Sequence, residues 1–121
     1  MGKNKLKKTE VIAEIANAHQ GSAETAFKLA LASYNSGADA IKFQIYFADE
    51  MLNKDHDRYE HFKNQSFDHK TWDYLIQRLK KKKIKIYCDV FGVEAFKVAR
   101  KNNDDGYKIH SSDLNNIRLL N

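Results

Sequence analysis

Short apolar runs alternate with helix-like segments along the chain, and each run carries a charged residue among its apolar ones. "VIAEI" (Val11–Ile15) reads as a first strand. "SAETAFKLALASYNSG" reads as a helix with Ser22 as N-cap, Gly37 as the stop, and an apolar stripe of Phe27, Ala30, Leu31 and Tyr34. "DAIKFQIY" is a second strand, followed by a long irregular stretch from about Phe47 to Phe67. Asp68 caps the next helix, whose stripe is Trp72, Leu75, Ile76 and Leu79. "IKIYCDV" is a third strand, Val93–Lys101 a short helix, and "GYKI" a fourth strand leading into the polar "HSSDLNN" and an "IRLL" that begins another helix. The order βαβαβαβ predicts an α/β fold with a parallel sheet and right-handed crossovers. In such folds ligands bind at the carboxyl ends of the strands.

Side chains alternate across a strand, which sorts these residues into two faces. Val11, Ala13 and Ile15, then Ile41, Phe43 and Ile45, then Ile84, Ile86 and Cys88, then Tyr107 and Ile109 form a face suited to helix packing. Glu14, Lys42, Gln44, Asp89 and Lys108 fall on the other. An ammonium among apolar residues is costly unless an anion meets it. That polar face is therefore either a set of ion pairs open to solvent or the wall of a site for an anionic ligand. "NAHQG" after the first strand and "SSDLNN" after the fourth add amides, hydroxyls and a carboxylate beside the lysines, a combination that suits phosphate or carboxylate recognition.

Composition narrows the function classes. With 121 residues and 42% hydrophobic content, the chain can bury the core of one modest domain. No apolar run is long enough to span a bilayer, and "MGKNKLKKTE" lacks the apolar segment of a signal peptide and has Leu6 where a myristoylation site needs Ser or Thr. We read residues 1–10 as a basic tail and 11–121 as the domain. The net charge of +5 is concentrated in "KNKLKK" and in Lys80–Lys83, without a nucleic-acid motif, so solvated structural charge is expected and no nucleic-acid or membrane partner. Cys88 is the single cysteine, a packing residue in a reducing compartment, and the expected location is cytoplasmic. His19 reads as a loop-organising hydrogen-bond residue, while His56, His61 and His69 lack ligand-like spacing; no metal ligands are assigned within the chain.

Three segments carry a family resemblance. "EIANAHQGS" resembles the E-I-G-x-N-H-x-G-S run of the N-acetylneuraminate (sialic acid) synthase family, "GADAIKFQ" its G-A-D-x-x-K-F-Q strand, and "YKIHSSDLNN" its Y-K-I-A/G-S-G-D/E-x-x-N segment. The resemblance runs from about Val11 to Leu120. It implies the N-terminal half of a (β/α)8 TIM barrel, with the chain ending after about four strands. It also implies condensation of phosphoenolpyruvate with N-acetylmannosamine or a related amino sugar, giving a nonulosonic acid and phosphate. By motif correspondence Lys42, Lys108 and Ser111 bind the phosphate and carboxylate of phosphoenolpyruvate, Gln44 faces the sugar, Glu14 lies near the reacting carbons, and Asp113 orients sugar or water. The complete enzyme is expected to use a divalent metal, Mn2+ or Mg2+, whose ligands lie outside this chain. The expected partners are a second copy, as a homodimer, or the missing half of the barrel. The alternatives are a noncatalytic module that binds a phosphorylated metabolite or assembles with a partner, and another phosphoenolpyruvate-dependent aldol-type sugar synthase. The chain departs from the family pattern at Ala16, where glycine is usual, at "CDVF", where a Ser-Thr-Pro-Phe-like run is usual, at His110, and at Lys83, where a helix-ending glycine is common.

Overall fold

The computed structural model describes residues 8–102 and 104–121, so residues 1–7 of the basic tail, Leu6 included, lie outside the described residues. Four strands, β1 (Ile12–Glu14), β2 (Ala40–Ile45), β3 (Ile86–Val90) and β4 (Gly106–Ile109), form one open sheet in the order β1-β2-β3-β4. Every neighbouring pair is parallel. Between them run α1 (Ala23–Asn35), α2 (Ala48–Met51), α3 (Tyr59–Gln65), α4 (His69–Lys80) and α5 (Val93–Lys101); a 3-10 turn (Ser111–Asp113) and α6 (Ile117–Leu120) follow β4. The parallel alternation is the expected one. Among the described residues no helix is long and apolar enough to cross a membrane.

Local chemistry sets the helix ends. The Ser22 hydroxyl accepts the Thr25 N–H at 3.1 Å and Asp68 accepts the Thr71 N–H at 2.8 Å, each satisfying an amide that the first turn leaves free. Gly37 closes α1 with φ 106. Lys83, beyond α4, adopts φ 59, and Ala16, after β1, adopts φ 47. Both are left-handed positions held by residues with a Cβ, at a cost of about 1–2 kcal/mol each.

The core lies between one face of the sheet and helices α1, α4 and α5. Ile41, Phe43, Ile45, Ile86, Cys88 and Val90 from the strands meet Ala26, Phe27 and Ala30 of α1, Trp72, Leu75, Ile76 and Leu79 of α4, and Ala95, Val98 and Ala99 of α5. Trp72 is the hub, edge-on to Phe43 at 5.8 Å and 4.9 Å from Phe67. The stripe expected for α4 is buried throughout. That of α1 is rotated: Ala26 is buried with Phe27 and Ala30, whereas Tyr34 is 38% exposed. Small Ala26 lets the helix approach the sheet more closely than a tyrosine on that line would.

The stretch 47–67 is not irregular, as its sequence suggests, but holds two short helices fastened by long-range contacts. Tyr59 of α3 is buried and its hydroxyl donates to Asp49 of α2. Phe62 packs edge-on against Tyr46 at 5.5 Å. Glu50 of α2 reaches across to the start of α5, accepting the Val93 N–H at 2.6 Å and the Glu94 N–H at 3.1 Å. It replaces the side-chain cap that Gly92 cannot supply.

Candidate functional site

Strand register builds the inner face in rows. Glu14, Lys42, Tyr87 and Gly106 are successive partners across β1 to β4, and Gln44, Asp89 and Lys108 form the next row toward the carboxyl ends. Because paired residues in a sheet point to the same side, the five polar residues expected on one face do lie together. A shallow depression of about 290 Å³ opens here, lined by Ile12, Lys42, Tyr87, Tyr107 and Lys108. The Tyr87 ring lies over Gly106, where a Cβ would stand only 2.7 Å from it; the glycine makes room for the ring.

The charges on this face are paired. Lys42 Nζ meets Glu14 Oε2 at 2.7 Å, and Lys108 Nζ donates to Asp89 Oδ2 at 2.7 Å. The pairs differ in burial: the Glu14 side chain is 41% exposed, that of Asp89 only 1%. The bond to Asp89 raises the Lys108 pKa above the ordinary lysine range, so the ammonium is fully charged at neutral pH. Of the two origins open to the sequence, ion pairs or a ligand-binding wall, ion pairs are present in the protein itself. Asp89, grouped with the polar face from its alternation, is a candidate residue that the motifs did not single out; an acid within an apolar strand was the signal.

The remaining candidates stand at the loop ends. Asp113 accepts the Gly92 N–H through Oδ2 at 2.9 Å and the Asn116 side-chain amide through Oδ1 at 3.1 Å, clasping the loop after β4 to the loop after β3. With Glu50, Met51, Phe91 and Ser112 it lines a second hollow of about 240 Å³. Ser111 is exposed at the start of the 3-10 turn. His110 stacks on Phe91 at 4.3 Å and its Nδ1 lies 2.9 Å from the Ser112 hydroxyl.

The loop after β1 turns Asn17 and His19 toward the protein. Buried His19 accepts the Gly21 N–H on Nδ1 at 3.0 Å, the loop-organising role expected of it, and burial pushes its pKa down. Its ring packs 4.5 Å from Phe67. Asn17 accepts the Tyr46 hydroxyl at 3.0 Å, and burial raises that phenol to about 12. Cys88 is fully buried and burial raises its thiol well above the usual range, as fits a packing residue rather than a nucleophile. Among the described residues no group of three or more His, Cys, Asp or Glu side chains could hold a metal ion.

Comparison with known proteins gives this geometry a context. The NeuB family matches residues 29–121. The N,N'-diacetyllegionaminic acid synthase of Legionella pneumophila subsp. pneumophila is 36% identical over 69 residues, covering 57% of this chain and 19% of that protein. The pseudaminic acid synthase of Campylobacter jejuni subsp. jejuni is 28% identical over a 134-residue alignment, covering 97% of this chain and 39% of the relative. The crystal structure of the N-acetylneuraminic acid (sialic acid) synthetase of Leptospira borgpetersenii serovar Hardjo-bovis in complex with citrate is similar with a TM-score of 0.80 and 29% identity, over 91% of this chain and 39% of that one. The parallel strands with their alternating helices match the N-terminal part of that TIM-barrel synthetase. The chain spans well under half the length of each of these relatives. With its residues matched from 29 to the end, the chain belongs to the NeuB family.

Proposed function

We propose that this chain supplies the phosphoenolpyruvate-binding half of a nonulosonic acid synthase, which joins phosphoenolpyruvate to N-acetylmannosamine or a related amino sugar and releases phosphate. The observation that carries the reading is the convergence of Glu14, Lys42, Gln44 and Lys108 on one face of a parallel sheet, toward its carboxyl ends. Lys42 and Lys108 present ammonium groups to the phosphate and carboxylate, with Ser111 as a hydroxyl donor. Their charge favours the anionic character that builds up during the addition. Gln44 faces the sugar, Glu14 stands by the reacting carbons, and Asp113 orients sugar or water from the clasped loop. A divalent metal, Mn2+ or Mg2+, belongs to the complete enzyme in this reading, and no step assigned to this chain runs through it. The partner in this reading is a second copy, as a homodimer, or the missing half of the barrel.

Calorimetric titration of the chain with phosphoenolpyruvate, with and without manganese, tests the reading. Binding by the folded chain is expected, with a loss of at least tenfold in Lys108→Ala or Lys42→Ala. Affinity unchanged by both substitutions would sink it.

A second reading, an assembly module without catalysis, draws on the apolar side chains exposed along the sheet's edges and just after β4: Val11, Ile12, Tyr107, Leu114 and Ile117. Two-strand edges without partners favour association. Concentration-independent monomer behaviour in sedimentation would count against it.

A further inference from the structure

Among the described residues Asp89 is the one fully buried acid on the inner face, and it is only half satisfied. Its Oδ2 takes the Lys108 ammonium at 2.7 Å, while Oδ1 is buried and accepts no hydrogen bond among the described residues. A carboxylate with so little water contact depends on its one cation. Glu14 engages Lys42 at the same distance, so the quartet Glu14, Lys42, Asp89 and Lys108 carries no net charge. The two acids are not equivalent towards an incoming anion. Glu14, 41% exposed, can swing into water and keep its charge solvated once a ligand takes Lys42. Asp89, 1% exposed, has no such exit; taking Lys108 from it strands a buried charge.

Resting on the anion-site reading above, we propose that Asp89 is an affinity-limiting residue of this site: a built-in competitor for Lys108 that weakens the inner face's hold on phosphoenolpyruvate, a multiply charged phosphate ester. The depression that Lys42 and Lys108 line thus has one releasable cation and one retained cation. An anion bound there meets both ammonium groups, and at Lys108 it feels the Asp89 charge behind as repulsion.

The test is calorimetric titration with phosphoenolpyruvate at fixed ionic strength on wild type, Asp89→Asn, Glu14→Gln and the double variant Asp89→Asn/Lys108→Gln, each checked for a cooperative thermal transition. Asp89→Asn is expected to bind at least tenfold more tightly than wild type, and the double variant to lose that gain. Glu14→Gln is expected to gain less than threefold. An equal gain in Glu14→Gln overturns the proposal, because removal of any negative charge then suffices. Equal affinities of wild type and Asp89→Asn, both abolished by Lys42→Ala, overturn the role of Asp89 and leave the anion-site reading standing. Absence of binding in every folded variant overturns both. Should Asp89→Asn fail to fold, Asp89→Thr, neutral and of similar volume, is judged by the same criteria.

Discussion

The two faces of the sheet use the same strands and opposite chemistry. On the helix-covered face Ile41, Phe43, Ile45, Ile86, Cys88 and Val90 are wholly buried, and their partners come from three helices of the same chain. On the other face the side chains are mostly charged, polar or aromatic, and ion pairs across neighbouring strands take the place of a packed layer. Parallel sheets are normally covered on both sides. The difference teaches where stability resides and where ligand chemistry can be accommodated: removing a group from the packed face costs fold, whereas removing one from the open face changes charge.

The largest expected effect breaks the packed face. Trp72→Ala removes the side chain that bridges Phe43 and Phe67 and should cost about 3–5 kcal/mol in urea unfolding, a large fraction of the stability of a domain this size. A cost below about 1 kcal/mol would mean the core closes without it.

The packed side also harbours an exception beside Cys88. Burial pushes the Asp104 carboxyl up to about 7, offset in part by the Cys88 thiol and the Lys80 ammonium. In the unfolded chain the same group titrates near 4, so below about pH 4 both states hold the proton. As pH rises from about 4 to 7 only the unfolded chain releases it, and stability falls across that window by on the order of 2–4 kcal/mol. Asp104→Asn should flatten that slope and be the more stable protein at pH 8. Parallel slopes for the two proteins in urea titrations between pH 4 and pH 8 would refute this.

On the open face the effects are smaller and should be unequal. Lys108→Ala leaves buried Asp89 unpaired and is expected to cost about 1–3 kcal/mol. Lys42→Ala frees an exposed Glu14 and should cost less than about 1 kcal/mol. Equal costs in the same denaturation series would remove the distinction between the two pairs. The comparison also supplies the stability baseline against which any loss of ligand binding by these variants is judged.

Much of this was legible in the residues. Ser22 and Asp68 as caps, the α4 stripe, Val93–Lys101 as a helix and the sorting of Glu14, Lys42, Gln44, Asp89 and Lys108 onto one face all follow from local spacing. The helices within 47–67 were not legible. Tyr59, Phe62 and Glu50 hold them through partners such as Asp49, Tyr46 and the amides of α5, and their own periodicity is too short to declare them. The rotation of α1 that exposes Tyr34 and buries Ala26 likewise depends on the neighbouring sheet rather than on the helix.

The sequence by itself determined the element order, the parallel sheet and the side of it on which the charges fall, because backbone period and capping act over a few residues. Only the tertiary structure decided which charge meets which. Strand register joins Glu14 to Lys42 and Asp89 to Lys108 across long stretches of chain, and burial makes one pair yielding and the other fixed. Pairing and solvation depend on distances between segments, and no local pattern of residues encodes those.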